Sequence, residues 1–252
     1  MPTLPLYDDG THRAFLLEDF GHGEMVQANQ HLIVHGRSGL ILDPGGHKVY
    51  NKVLGETSAL LAGGKLETIF LSHQDPDIVA ALNGWLMTTD ATAWASELWI
   101  RFIPHFGIDR LVVDRLKGIP DGGMWIEMAG ARFAFLPAHF LHSTGNFHLW
   151  DPTSRILYTG DLGASIGTEY REVADFDAHV PHMLGFHRRY MGSGRALRAW
   201  AGMARKLDVE TIAPQHGAVF RGKAMVSRFI DWAATLECGT DLLPEEWPLP
   251  TA

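Results

Sequence analysis

The sequence predicts an α/β protein: a four-layered αββα sandwich, with two sheets face to face and helices on both outer sides. Three observations carry this expectation. Strands come first, then helices, then strands and helices again, so the chain reads as two similar halves. "LETIFLS" is a continuous apolar run of the kind buried on both faces of a sheet. Four strands end in polar residues capable of binding a ligand, as strands do where loops converge on a site. With 252 residues, 46% of them hydrophobic, the chain can build one well-buried domain spanning 1–252.

The elements follow in order. "HLIVHGRSGLILDPGG" gives two strands, His31 to His35 and Gly39 to Leu42, joined by a turn at Gly36-Arg37-Ser38. The strand Leu66 to Leu71 ends in Ser72. After Pro76, which suits a first helical turn, Ile78, Leu82, Trp85 and Leu86 recur at helical spacing. "ATAWASELWIRFI" predicts a second helix. "MWIEMAGARFAFLPA" gives two strands about the turn Ala129-Gly130. "NFHLWDPTSRILYTGDLG" is a hairpin whose loop is Asp151-Pro152-Thr153-Ser154. "HVPHMLGFHRRYM" reads as a loop. Ser193 caps a helix with the stripe Leu197, Trp200, Ala201, Ala204 and Leu207. A last strand, "TIAPQHG", precedes a helix carrying Met225, Phe229, Trp232 and Leu236 on one face. No repeat, low-complexity segment or long linker interrupts the chain.

Composition excludes several classes of function. The formal net charge is −8 and no basic run occurs, which speaks against nucleic acid as a partner. A single cysteine, Cys238, rules out an internal disulfide and fits a reducing compartment. The start shows no basic and apolar leader, and no apolar run reaches the roughly 18 residues of a membrane span, so a cytoplasmic protein that avoids membranes is expected. Fourteen histidines stand against that one cysteine, so nitrogen and oxygen would hold any metal.

The stretch "LSHQDPD" ends a buried strand in His73, Asp75 and Asp77. Two carboxylates so close repel each other unless positive charge lies between them. Three further strand-end residues, His142 after "FLPAHFL", Asp161 after "LYTG" and His216 after "IAPQ", complete a set of three imidazoles and three carboxylates. Rigid strand ends are what a metal centre needs from its scaffold. The set exceeds one tetrahedral zinc and suffices for two metals if a carboxylate bridges them. Its oxygen content leans toward iron or manganese. The plainer reading makes Asp75 and Asp77 caps of the following helix and the histidines ordinary strand-end residues. It accounts for one carboxylate easily, for two poorly, and for His142, Asp161 and His216 not at all.

"HQDPD", with His142, the "GD" of Asp161 and the "APQHG" of His216, resembles the metallo-β-lactamase superfamily, and within it the diiron domain of flavodiiron proteins. Hydrolases of the superfamily carry H-x-H-x-D-H at the first motif, and flavodiiron proteins carry H-x-E-x-D-H. Asp75 stands at the second position here, which speaks against a dizinc hydrolase of the lactonase or thioesterase type. "HSTGNF" and "FHRRYMGSGRALRAWAGMARKLDVETIAPQHGAVFRG" are similar to flavodiiron segments as well. Two departures stand out: Ile78 replaces the final His of the motif, and no flavodoxin domain follows. Stand-alone oxygen-binding diiron proteins with an H-x-D-P-D-I motif, some found beside chemotaxis systems, share both departures.

The resemblance implies two irons per chain, bridged by oxo, hydroxo or peroxo groups, and no FMN. It places His73, Asp75 and His142 on the first iron, Asp77 and His216 on the second, and Asp161 as the bridge. The second iron would be open at the position of Ile78, or filled by water or by His139, His182 or His187. Tyr190 is a candidate hydrogen-bond donor to bound oxygen, Asp43 is read as structural, and Cys238 as packed in a helix. The implied function is O2 binding as a peroxo adduct in a sensor or carrier, with a chemotaxis signalling or electron-transfer protein as partner and a homodimer left open. The alternatives are an O2 or NO reductase fed by an external donor and, further off, the dizinc hydrolase or a metal-free relative.

Overall fold

The computed structural model describes residues 2–21 and 26–250. The first sheet has seven strands in simple sequence order: β1 (Leu4–Asp8), β2 (His12–Leu16), β3 (His31–His35), β4 (Ser38–Leu42), β5 (Lys65–Phe70), β6 (Thr92–Ser96) and β7 (Leu116–Ile119). β1 to β4 are antiparallel, and β4 to β7 run parallel. The parallel part needs crossovers. These are α1 (Tyr50–Leu61), the short pair α2 (Pro76–Val79) and α3 (Leu82–Thr88), and a connection of 3-10 turns between β6 and β7. The second sheet holds β8 (Met124–Met128), β9 (Ala131–Pro137), β10 (Phe147–Asp151), β11 (Ile156–Tyr158), β12 (Thr211–Ala213) and β13 (Phe220–Arg221) in the order β13-β12-β11-β10-β9-β8. Its helices are α4 (Phe176–Tyr190), α5 (Gly194–Ala204) and α6 (Lys223–Thr235).

Three apolar layers show how the sandwich closes. Leu16, Ile33, Leu40 and Phe70 of the first sheet meet Phe133, Phe135, Phe147 and Leu149 of the second. Phe70 and Phe135 stack at 4.9 Å. The alternate residues Leu32, Val34, Ile41 and Ile69 face the helices of their own half, with Val53, Leu82 and Trp85. Trp150, Leu157 and Ile212 do the same against Leu197, Trp200 and Phe229. The inner strands β4, β10, β11 and β12 therefore bury both faces, as their near-continuous hydrophobicity implied.

The expected helix at "ATAWASELWIRFI" is instead a strand, β6, followed by two turns of 3-10 helix. Its real period is two: Ala91, Ala93 and Ala95 pack toward the helices, while Trp94 packs into the layer between the sheets. The helix after Pro76 is two short helices rather than one. "HVPHMLGFHRRYM", read as a loop, lies in α4, which Asp175 caps through the amides of Asp177 and Ala178. β12 is not the last strand, since β13 follows it. The sequence reading also passed over β1, β2, α1 and β7. The hairpin at Asp151–Ser154 and the Ser193 cap hold, with Ser193 Oγ accepting from the Ala196 amide at 3.3 Å.

The two sheets are also tied by a buried polar contact. Asp151, fully buried at the end of β10, lies 2.7 Å from His12 Nε2 on β2, and its other contacts include Ser154 Oγ at 2.5 Å. Removing the imidazole leaves a buried carboxylate without its partner across the sheets. His12→Ala should therefore lower unfolding free energy by about 3 kcal/mol, read by urea denaturation. A loss no greater than that of a surface histidine would show the pair to be immaterial.

Candidate metal centre

All six predicted site residues lie at one end of the sandwich, where β5, β9, β11 and β12 run out into loops. They divide into two groups joined by one residue. His73 Nε2 lies 3.7 Å from Asp75 Oδ2 and 3.7 Å from Asp161 Oδ1. His142 Nε2 lies 3.4 Å from Asp75 Oδ2 and 3.2 Å from Asp161 Oδ2. On the other side His216 Nε2 lies 3.6 Å from Asp77 Oδ2 and 3.5 Å from Asp161 Oδ1. Asp161 thus turns one oxygen toward His73 and His216 and the other toward His142. His73, His142 and Asp161 bring ligand atoms within 4.8 Å of one another.

The residues next to the site set this geometry. Pro76 opens α2 with Asp75 at its N-cap position, yet the Asp75 carboxylate makes no capping bond. The capping explanation of Asp75 is thereby removed, since its oxygen is turned to two histidines instead. Asp43, in the left-handed region at φ 47°, accepts the Ser72 amide at 2.8 Å and so fixes the end of β5. This is the structural role read for it. Ser72 Oγ sits 3.0 Å from His73 Nδ1, and the Gln27 carbonyl accepts from His216 Nδ1 at 2.6 Å. Each contact occupies one ring nitrogen and leaves Nε2 for the site. Gln74 donates to Asp75 at 3.1 Å and accepts from Ser143 Oγ at 2.6 Å, tying the first motif to the His142 loop. Gln215 donates to Asp77 at 3.2 Å. Gly160 is at φ 50°, and a Cβ there would lie 3.2 Å from Ser72, so glycine lets the Asp161 loop reach the His73 loop.

Ser72, Gln74 and Gln215 were legible as immediate neighbours of predicted ligands. Gln27 carried no such signal, because its carbonyl arrives from a distant loop.

The three histidines offered for the vacant motif position are all engaged elsewhere. His139 Nε2 contacts the Asp121 carbonyl at 3.0 Å. His182 Nδ1 contacts the Ile166 carbonyl at 3.0 Å. Buried His187 donates from Nδ1 to the Met183 carbonyl and accepts the Gly163 amide on Nε2 at 2.9 Å, which braces the Asp161 loop. Tyr190 is exposed, with its ring edge-on to His142 at 5.8 Å. Cys238 is buried, just past the end of α6.

The electrostatics are those of a cation site. Asp161 is buried, and its Oδ1 has no hydrogen bond, the two imidazoles beside it being too distant. Burial alone would raise this carboxyl, but His73, His142 and His216 hold it well below its usual range. Burial would lower the histidines, and the carboxylates overcome it: His142 is pushed up to about 10 and His216 to about 9. Without metal, protons supply the positive charge that three converging carboxylates require. An orphaned buried oxygen, three inward-facing Nε2 atoms and two carboxylates in separate groups fit a pair of divalent ions.

A pH dependence of the metal-free protein follows. Histidines whose folded values lie above the unfolded 6.5 give stability that is complete below that pH. It is lost as pH rises through about 9 to 10. The melting temperature of the metal-free protein should therefore fall between pH 7 and pH 10, and metal loading should flatten the fall. A melting temperature constant over that range would contradict the proton-filled site.

A family model described as "ODP family beta lactamase" matches residues 26–217. A structure described as the peroxy diiron species of the chemotaxis sensor ODP is 39% identical, with a TM-score of 0.85, over 96% of this chain and 98% of its own. The apo state of that sensor from T. denticola is likewise 39% identical, with a TM-score of 0.85, over 95% and 96%. A flavo-diiron protein variant from Thermotoga maritima is 18% identical, with a TM-score of 0.76, over 93% of this chain and 61% of its own, which is a likeness of fold. No curated protein sequence matches. With the αββα sandwich in place, the chain belongs to the ODP family of the metallo-β-lactamase fold.

Proposed function

We propose that this chain is a non-haem diiron protein that binds O2 as a sensor or carrier. His73, Asp75 and His142 hold one iron, Asp77 and His216 the other, and Asp161 lies between them. The observation that carries this reading is the division of six strand-end residues into two groups that share only Asp161. The sensor of 39% identity, solved as a peroxy diiron species, supports the choice of iron and of O2. Bound iron supplies the electrons and open coordination positions that hold a diatomic ligand.

The chain's own residues do the rest. Ser72 and Gln27 orient the His73 and His216 rings before metal arrives, so little reorganisation accompanies binding. Three carboxylates against two divalent ions leave a centre of low net charge, which suits its partial burial. We read residues 1–252 as one such domain, acting in the cytoplasm and passing its state to a signalling protein of the chemotaxis type. No helix among the described residues is long and apolar enough to cross a membrane.

Two measurements test the reading. Protein loaded anaerobically with ferrous iron should hold two ions per chain. Asp161→Ala should lower occupancy of both positions, and His216→Ala mainly one. Full stoichiometry and an unchanged spectrum in Asp161→Ala would remove the bridge.

Stopped-flow mixing of the diferrous protein with O2 should give a long-lived coloured form. Bleaching within the mixing time, or sustained O2 consumption with an added electron donor, would replace the sensor by a reductase.

A further inference from the structure

His216 stands on a turn, Pro214–Ala218, between β12 and β13. The bonds that hold this turn come from two other segments. One is the Asp161 loop. The Gln215 amide donates to the Gly160 carbonyl at 2.7 Å, the Ser165 amide to the His216 carbonyl at 3.2 Å, and the Ala218 amide to Ser165 Oγ at 3.1 Å. The other is the segment that leads into β3, in the opposite half of the sandwich. Asn29 there is 2% exposed. Its Nδ2 donates to the Pro214 carbonyl at 2.9 Å and to the Gly217 carbonyl at 3.0 Å, and its backbone amide donates to the Gln215 carbonyl. Both hydrogens of the side-chain amide are thus spent on carbonyls that bracket His216.

The orientation of that amide is fixed twice. The Pro214 and Gly217 carbonyls only accept, so the Asn29 nitrogen must face them. The Gly217 amide donates to Gln27 Oε1 at 2.7 Å, which leaves Gln27 Nε2 to donate to Asn29 Oδ1 at 2.6 Å. Gln27, Asn29 and Gly217 therefore close a ring of bonds, and the same Gln27 supplies the carbonyl that accepts from His216 Nδ1.

A buried asparagine can serve a fold simply by satisfying backbone groups. The place of this one gives it a narrower task. The second metal group pairs Asp77 of the first half with His216 of the second, 3.6 Å apart. Asn29 ties the His216 turn to the half that carries Asp77. Without it the turn stays bonded to the Asp161 loop and comes loose from the first half. Among the described residues, no hydrogen bond of Asn29 goes to the loops of His73 or His142.

We propose that Asn29 is the positioning residue of the second metal group. It holds the His216 turn so that Nε2 faces Asp77 and Asp161, and it thereby sets how tightly the second ion is held relative to the first. This inference rests on the diiron reading above.

Two measurements on Asn29→Ala and Asn29→Asp test it. Anaerobic titration calorimetry with ferrous iron should show the first ion bound as in the wild type and the second about 10–100-fold more weakly, the usual effect of losing a residue behind a metal ligand. Asn29→Asp keeps the size and the acceptor of the side chain, but a carboxylate donates no hydrogen, so it should behave like Asn29→Ala. In metal-free protein, NMR should show a His216 Nδ1–H signal protected from exchange by the Gln27 carbonyl. Both variants should lose that protection, while the His187 Nδ1–H on the Met183 carbonyl keeps its own. A second ion held as tightly as in the wild type, in either variant, overturns the proposal. So does equal weakening of both ions with loss of the His187 signal, which marks a general loosening of the fold. If neither variant folds, Gln27→Ala decides, since Gln27 is only half-buried and keeps its backbone carbonyl. It should weaken the second ion in the same direction, and an unchanged second ion overturns the proposal. A wild type that takes up fewer than two ions is instead a failure of the diiron reading, and the His216 signal in the metal-free variants then still accepts or rejects Asn29.

Discussion

The structure around the centre depends on one buried carboxylate. Asp161 sits where the loops of both sheets converge, and one of its oxygens has no hydrogen bond. An anion held there is costly unless positive charge surrounds it. Three histidines from three different strand ends provide that charge, each with Nε2 turned inward. The strand order, the glycine at Gly160 and the bracing of Gly163 by His187 all bring the Asp161 loop to that point. Removing the carboxylate would leave His73, His142 and His216 facing one another.

The division of labour between the two halves follows from the same constraint. The first sheet contributes His73, Asp75 and Asp77 from a single turn between β5 and α2, so their relative positions are set locally. The second sheet contributes His142, Asp161 and His216 from three separate loops, so their positions depend on packing across the sandwich. Beside the site, polar contacts cross between the halves. Gln215 donates to Asp77, Ser143 to Gln74, and the Phe147 amide to the Ser72 carbonyl. Each involves a predicted ligand or a residue next to one, so the docking of the two sheets and the geometry of the site are one property.

What the sequence made legible was the local part. Strands buried on both faces, the Asp151–Ser154 hairpin and the Ser193 cap all rest on short-range periodicity and turn chemistry. The six candidate ligands were read in the same way, because each closes or follows an apolar run. The failures have a common cause. In "ATAWASELWIRFI" alanine and tryptophan satisfy helical and strand spacing equally, and parallel pairing with β5 and β7 decided for a strand. In α4, Pro181 and the arginines near its end hid the buried stripe of Phe176, His179, Met183 and His187. Histidine counts as polar in a pattern, and here two of the four buried positions are histidine. Gln27 was illegible for a different reason: a backbone carbonyl carries no sequence.

Ile78 shows how one substitution shapes the open side of the site. It is wholly buried, packed among Leu82, Trp85 and Val79 in the outer layer of the first half. Its neighbour Asp77 faces His216, so α2 sends consecutive residues in different directions. The three histidines that could have compensated are tied to backbone groups. Asp77 and Asp75 have 42% and 34% of their side chains exposed, whereas His73, Asp161 and His216 have 1%, 6% and 9%. Water and small molecules therefore meet the site at the helix-borne carboxylates. The group with the fewest protein ligands, Asp77 and His216, lies on that accessible side. Under the proposed assignment the position vacated at Ile78 is both the least filled and among the most reachable.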